Sequence, residues 1–137
     1  MLFAHGGLYA DIDMECVRPL DHITRRHACM LTEENHAHTY VVHRRTPPTN
    51  VINCLMASRP RHPYFRDVIL ELPVQKTRGR DLDVLTQTGP FLIDAVLRRW
   101  EQTALSYVNC TLRAKLPTLR GTALTFRLVL LYQTNEI

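Results

Sequence analysis

With 137 residues, 45% of them hydrophobic and 22% charged, the chain has the length and composition of one globular domain built on a single core. Its net charge of +4 comes from scattered pairs such as Arg25-Arg26, Arg44-Arg45 and Arg98-Arg99. No dense basic run interleaved with aromatics occurs, which argues against a nucleic-acid face.

Leu2-Phe3-Ala4 running into His5-Gly6-Gly7 predicts the last turn of a helix stopped by glycine, so the chain is expected to begin partway through a fold. The apolar stretch before His5 is too short for a signal peptide. Leu8 to Asp13 predicts a short strand. Alternation then puts Asp11 and Asp13 on one face, roughly 6–7 Å apart, with Tyr9 on the same face and Ile12 turned into the core. Two hard carboxylates held this way suit Mg²⁺ or Mn²⁺, and those ions suit a diphosphate. The plain alternative is two solvated acids on a strand edge, because a bare Asp-x-Asp is common by chance. Gly6 and Gly7 serve as the helix stop, or let backbone approach a diphosphate.

Arg18-Pro19-Leu20-Asp21 turns away from the strand, since Pro19 cannot donate to a ladder. Cys29-Met30-Leu31 predicts a second strand, and Glu33 to His38 an acidic loop. Glu33, Glu34, His36 and His38 form a rival metal cluster, which without further ligand spacing reads as a solvated loop. Tyr40-Val41-Val42 predicts a hairpin strand before the break at Thr46-Pro47-Pro48. Val51 to Ala57 predicts a strand buried on both faces. Within it Asn53 either bonds a neighbouring loop or reaches a substrate.

His62-Pro63 opens a helix through about Leu72, with Phe65, Val68, Ile69 and Leu72 at helical spacing. His62 either caps this helix or contacts a ligand. Gln75 to Asp83 predicts a polar loop. Thr88-Gly89-Pro90 starts the clearest helix, Pro90 to about Thr103, with Phe91, Ile93, Ala95, Val96, Leu97 and Trp100 apolar and Arg98, Arg99 and Glu101 toward water. The free amides before Pro90 favour an anion or a sugar hydroxyl at Thr88 and Gly89, although a simple helix cap accounts for Thr88 equally well.

Beyond Ala104 the chain reads as loop with one apolar element, Ala123 to Tyr132. The apolar run Leu128 to Tyr132 is far below the roughly 20 residues of a membrane span. Asn109-Cys110-Thr111 is a formal glycosylation sequon. Cys16, Cys29, Cys54 and Cys110 lack Cys-x-x-Cys spacing, which argues against a zinc ribbon or thioredoxin-like site, and their pairing stays open. Cys16 and Cys54 lie beside strands and fit buried free thiols as well as bridges.

Three blocks in order carry a resemblance. Gly6-Gly7-Leu8-Tyr9-Ala10-Asp11-Ile12-Asp13 with Arg18-Pro19-Leu20-Asp21 resembles the Asp-x-Asp sugar-binding region of glycosyltransferases of the α-1,6-mannosyltransferase, inositol phosphoceramide mannosyltransferase and α-1,4-galactosyltransferase type. Asn53-Cys54-Leu55-Met56-Ala57-Ser58-Arg59-Pro60-Arg61-His62-Pro63 resembles the family's Asn-x-x-Met-x-x-x-Pro-x-His-Pro segment, and Thr88-Gly89-Pro90 its Thr-Gly-Pro turn.

The resemblance implies an α/β fold, part of a Rossmann-like GT-A nucleotide-diphospho-sugar domain with a mixed sheet. Residues 1–104 would carry the sugar-binding region, with the base-binding part upstream missing, and 105–137 would be a divergent tail without the family's His-and-Trp block. It implies retaining transfer of a hexosyl group from a UDP- or GDP-hexose to a glycan or glycolipid hydroxyl. Asp11 and Asp13 would hold Mn²⁺ or Mg²⁺. Gly7, Tyr9, Asp11, Asp13, Asn53, His62, Thr88 and Gly89 would line the donor site. Membrane attachment would come only through a segment not in this chain, and location in the Golgi or secretory lumen if eukaryotic. The alternative is a truncated, catalytically silent α/β module.

Overall fold

A computed structural model of the chain describes residues 1–16, 19–34, 51–77, 84–103, 114–115 and 127–131. The sheet is built from β1 (Gly7–Ala10), β2 (Cys29–Glu33), β3 (Val51–Ser58), β4 (Ala114–Lys115) and β5 (Arg127–Leu131), in the spatial order β1-β3-β2-β5-β4. The helices are α1 (Leu2–His5), α2 (Asp21–Thr24), α3 (Pro63–Thr77), α4 (Val84–Gln87) and α5 (Pro90–Thr103). The fold is therefore α/β, as the sequence implies.

Every pairing among the described strands is antiparallel, so the mixed sheet implied by the resemblance is corrected to an antiparallel one here. The reason is topological. β1 and β2 run in the same direction on either side of the short helix α2, but β3 inserts between them and pairs with both. The strand Cys29 to Leu31 and the strand Val51 to Ala57 appear where the sequence placed them. The strand expected at Tyr40 to Val42 lies outside the described residues.

Alternation along β2 divides the core. Cys29 and Leu31 join Val51 and Met56 on one face, covered by Tyr64 and Phe65 of α3 and by Leu92, Ile93, Val96 and Leu97 of α5. Met30 and Ala57 face the other way, onto Ile23 of α2 with Leu20 and Leu55 beside it. Ala95 is exposed, so the buried stripe of α5 is narrower than its apolar residues alone indicate.

The two long helices are also joined by polar contacts. Tyr64 Oη donates to Ile93 O at 2.8 Å, and Trp100 Nε1 donates to Asp67 Oδ2 at 2.9 Å. The helix α3 runs on through Pro73 to Thr77, past the end expected near Leu72, so Gln75 to Thr77 are helical and not loop. Proline removes one backbone donor there. What carries the helix onward is a partly buried side-chain lattice, in which Gln75 Nε2 donates to Glu71 Oε1 and Arg99 donates to Glu71 Oε2, both at 2.7 Å. Among the described residues, no helix is long and apolar enough to cross a membrane.

Candidate functional site

The site residues cluster where β1 ends. Gly6 closes α1 at φ 68°, with its N–H on Leu2 O. A Cβ at Gly6 would lie 2.7 Å from both Ser58 O and Pro60, so glycine here is a packing requirement as well as a conformational one. Gly7 has φ 99°, and a Cβ there would meet nothing within 4 Å. Of the two glycines, only Gly7 presents open backbone to a ligand.

β1 is an edge strand whose four residues are all exposed. Tyr9 pairs with Met56 and Ala10 with Leu55, and Asp11 N then donates to Cys54 O at 2.9 Å. There the strand stops. Met14 N donates to Asp11 O at 3.1 Å, closing a turn with Ile12 and Asp13 at its centre. Asp13 is thus on a turn and not on a strand, and Ile12 is fully exposed and not in the core. The sequence carried the signal for this, because aspartate favours the first position of such a turn, but the Asp-x-Asp alternation masked it.

Across the sheet the partner strand is also irregular. One step along β2, from Leu31 to Thr32, corresponds to four along β3, from Met56 to Ile52, so Asn53, Cys54 and Leu55 bulge out of the β2 ladder. Thr32 Oγ1 donates to the carbonyl oxygen of Leu55, and Asp11 N takes that of Cys54. The bulge therefore supports the Asp11 turn, and half-buried Asn53 is one of its residues, adjacent in sequence to Cys54.

Tyr9 and Asp11 share a face, as alternation requires, and Tyr9 Oη donates to Asp11 Oδ1 at 2.7 Å. That bond, with the Asp11 charge, holds the Tyr9 phenol above its ordinary range. Cys54 sits within the field of the site. Burial pushes its thiol up to about 11, and the carboxylates of Asp11, Asp13 and Glu34 add to the shift. Negative charge thus converges on Cys54, whose carbonyl anchors the turn.

This donor set fits a hard divalent cation. Two carboxylates on an exposed turn leave most of an octahedral shell for a ligand's oxygens and water, and among the described residues no group of three His, Cys, Asp or Glu side chains forms a closed cage.

The remaining candidates lie elsewhere. His62 is only 2% exposed, and its Nδ1 accepts the N–H of Tyr64 at 3.3 Å. It caps α3 from inside the core under Trp100, which corrects its placement among ligand contacts. Thr88 Oγ1 turns back to Val84 O at 3.4 Å, while a Cβ on Gly89 would lie 2.8 Å from Leu85. Both hold the tight corner between α4 and α5.

The acidic loop reading is also corrected. Glu33 belongs to β2 at 1% exposure and Glu34 is buried beside it. His36 and His38 lie outside the described residues. Cys16 is exposed, not buried, while Cys29 is a buried free thiol and Cys54 a half-buried one.

Comparison with known proteins bears on this corner of the fold. The family described as "glycosyltransferase sugar-binding region containing DXD motif" matches residues 1–30, which hold the whole β1 turn. The chain is a relative of the DXD-containing glycosyltransferases. It is 34% identical over 109 residues to the mannosyl phosphorylinositol ceramide synthase CSH1 of Saccharomyces cerevisiae, an alignment covering 76% of this chain and 26% of that protein. It is 28% identical over 104 residues to inositol phosphoceramide mannosyltransferase 3 of Schizosaccharomyces pombe, covering 74% of this chain and 26% of that one. The chain thus spans about a quarter of the length of these glycosyltransferases. No solved structure matches it.

Sequence reasoning missed Thr32 as a support of the β3 bulge that holds the Asp11 turn. No motif marks it, because the bulge is set by strand register.

Proposed function

We propose that this chain carries the donor-binding part of a retaining hexosyltransferase, which moves a hexose from a nucleotide-diphospho-sugar to a hydroxyl of a glycan or glycolipid acceptor. The observation that carries the proposal is the exposed turn at the end of β1, on which Asp11 and Asp13 stand beside the β3 bulge. The two yeast relatives are named for mannosyl transfer to inositol phosphoceramide, which favours mannose and a lipid-linked acceptor. GDP- or UDP-hexose remains the donor class.

On this reading Asp11 and Asp13 hold Mn²⁺ or Mg²⁺, Gly7 lets backbone approach the diphosphate, and Asn53 offers its amide to the donor. Bound there, a divalent cation supplies Lewis-acid stabilisation of the departing nucleoside diphosphate. The chain's own contribution is to aim two carboxylates from a braced turn. Residues 1–104 form the sugar-binding region of a GT-A type domain, and the tail adds β4 and β5 to its sheet. On this reading the enzyme works in the Golgi or secretory lumen if its source is eukaryotic, a location that kinship with the yeast relatives supports.

Calorimetry and thermal shift with Mn²⁺ and GDP-mannose, UDP-glucose or UDP-galactose test the proposal. At least one nucleotide-sugar should bind in a Mn²⁺-dependent manner, and Asp11→Ala and Asp13→Ala should each sharply weaken that dependence. Where turnover is measurable, each substitution should slow it roughly 100- to 1,000-fold, as loss of about 3–4 kcal/mol of transition-state stabilisation requires. Absence of any metal-dependent response in the parent chain would leave a catalytically silent module.

A further inference from the structure

The two aspartates are not equivalent, and the difference lies in what holds each of them. Asp11 is fixed through its backbone, whose N–H reaches Cys54 O at 2.9 Å, and through its side chain, whose Oδ1 accepts Tyr9 Oη at 2.7 Å. Asp13 is exposed at the centre of the turn. A carboxylate bonded through one oxygen keeps the other free, so Asp11 Oδ2 remains available in a fixed direction. Tyr9 is itself anchored, because its backbone is paired with Met56 in the ladder while the ring leans out over the edge at 43% exposure.

We infer that Tyr9 is a positioning residue that acts through Asp11: its hydroxyl sets the Asp11 carboxylate before a cation arrives, leaving Asp13 to close on the ion afterwards. The inference rests on the metal-binding reading of the Asp11 and Asp13 turn. It also separates Tyr9 from the residues that touch the sugar, since the one polar hydrogen of its side chain, on Oη, is committed to Asp11. The physical benefit is preorganisation, because a carboxylate that already occupies its bound rotamer loses less freedom when the ion binds. Removing the hydroxyl should therefore weaken cation binding and leave the fold intact.

The test is Mn²⁺ binding to the full 137-residue chain, followed by the loss of free-ion electron paramagnetic resonance signal, with and without UDP. Tyr9→Phe should raise the Mn²⁺ dissociation constant roughly three- to tenfold, the range expected for one exposed hydrogen bond to a charged acceptor. Its melting temperature should stay at the parent value, because the ring is retained at an edge position. The deciding measurement is the double substitution. In an Asp11→Asn background Tyr9→Phe should have no further effect, whereas in an Asp13→Asn background its full effect should persist.

Unchanged Mn²⁺ affinity in Tyr9→Phe would overturn the inference, as would an effect of equal size in both backgrounds, which would mean that Tyr9 meets the nucleotide or metal directly. Failure of the parent chain to bind Mn²⁺ with UDP present would instead overturn the metal-binding reading itself. The two failures are therefore distinguishable in one set of titrations.

Discussion

Asp94 of α5 accepts the backbone N–H of Val51, the first residue of β3, at 3.1 Å, and binds Arg98 Nε at 2.7 Å with its other oxygen. A helix thereby supplies the acceptor for a buried donor at the start of the strand that later bulges toward Asp11. Asp94 is 4% exposed, so its removal leaves that donor unsatisfied in a place water cannot reach. Asp94→Ala should cost about 2–4 kcal/mol, read as a lower urea midpoint at unchanged slope. Asp94→Asn keeps an acceptor for Val51 and should cost less than half of that, because Arg98 is partly solvated and its ion pair is screened. Equal losses for the two variants would show that the charge, not the acceptor, holds the strand.

His62 makes the fold sensitive to acid. Burial lowers its pKa to about 4, from an ordinary value near 6.5. Only the neutral ring can accept the N–H of Tyr64, so protonation removes the α3 cap as well as placing a charge in the core. Between those two values the unfolded chain holds the extra proton, and stability therefore rises with pH through this window and is level above it. The loss on going from about pH 7 to pH 4 should be about 2–4 kcal/mol from this group. Melting curves across that range should show it, and His62→Gln should flatten the slope even though it lowers stability at pH 7. Because burial also lowers the pKa of His27, a residual slope of the same sign should remain. An unchanged slope in His62→Gln would place the acid sensitivity elsewhere.

The adjacent glycines should respond differently. Gly6→Ala forces a Cβ to within 2.7 Å of Ser58 O and Pro60 in addition to the strain of a positive φ, so a loss of about 2–4 kcal/mol is expected. Gly7→Ala carries conformational strain alone, with open space around the new methyl, and should cost about 1–2 kcal/mol. Its larger effect should appear in binding of a nucleotide-sugar, where the methyl stands between backbone and ligand. Chemical denaturation and calorimetry on the pair separate the two roles, and a reversed order of stability losses would refute the assignment.

The contrast between these glycines shows what was legible in the sequence and what was not. The glycine stop, the strands around Cys29 to Leu31 and Val51 to Ala57, and the helix from Pro90 follow from local chemistry, and each appears at its expected place. The Asp11 and Asp13 pair was legible as a motif. Its geometry was not, because β1 ends opposite the bulge in β3, a property of register across residues distant in the chain. The helix end expected near Leu72 is overridden by the Glu71, Gln75 and Arg99 lattice. His62 could be a cap or a ligand contact until the packing of Trp100 over it was known. In each case a tertiary contact outweighed a sound local signal.

The β3 bulge offers the sharpest link between stability and the site. Thr32 is buried in β2, and its hydroxyl satisfies the Leu55 carbonyl that the register shift leaves off the ladder. Thr32→Val preserves shape but strands that carbonyl, with an expected cost of about 1–3 kcal/mol. Thr32→Ser keeps the hydroxyl and gives up a methyl, with an expected cost of about 1 kcal/mol. The two therefore differ modestly in stability and strongly in what they do to the bulge. Since Cys54, next to Leu55, presents the carbonyl that fixes Asp11, a loosened bulge should blur the position of the aspartate turn. Mn²⁺-dependent binding of UDP should weaken roughly three- to tenfold in Thr32→Val and stay within about twofold of the parent in Thr32→Ser. If both variants bind as the parent does despite the lower stability of Thr32→Val, the bulge supports the core alone and the turn is held by β1 without it.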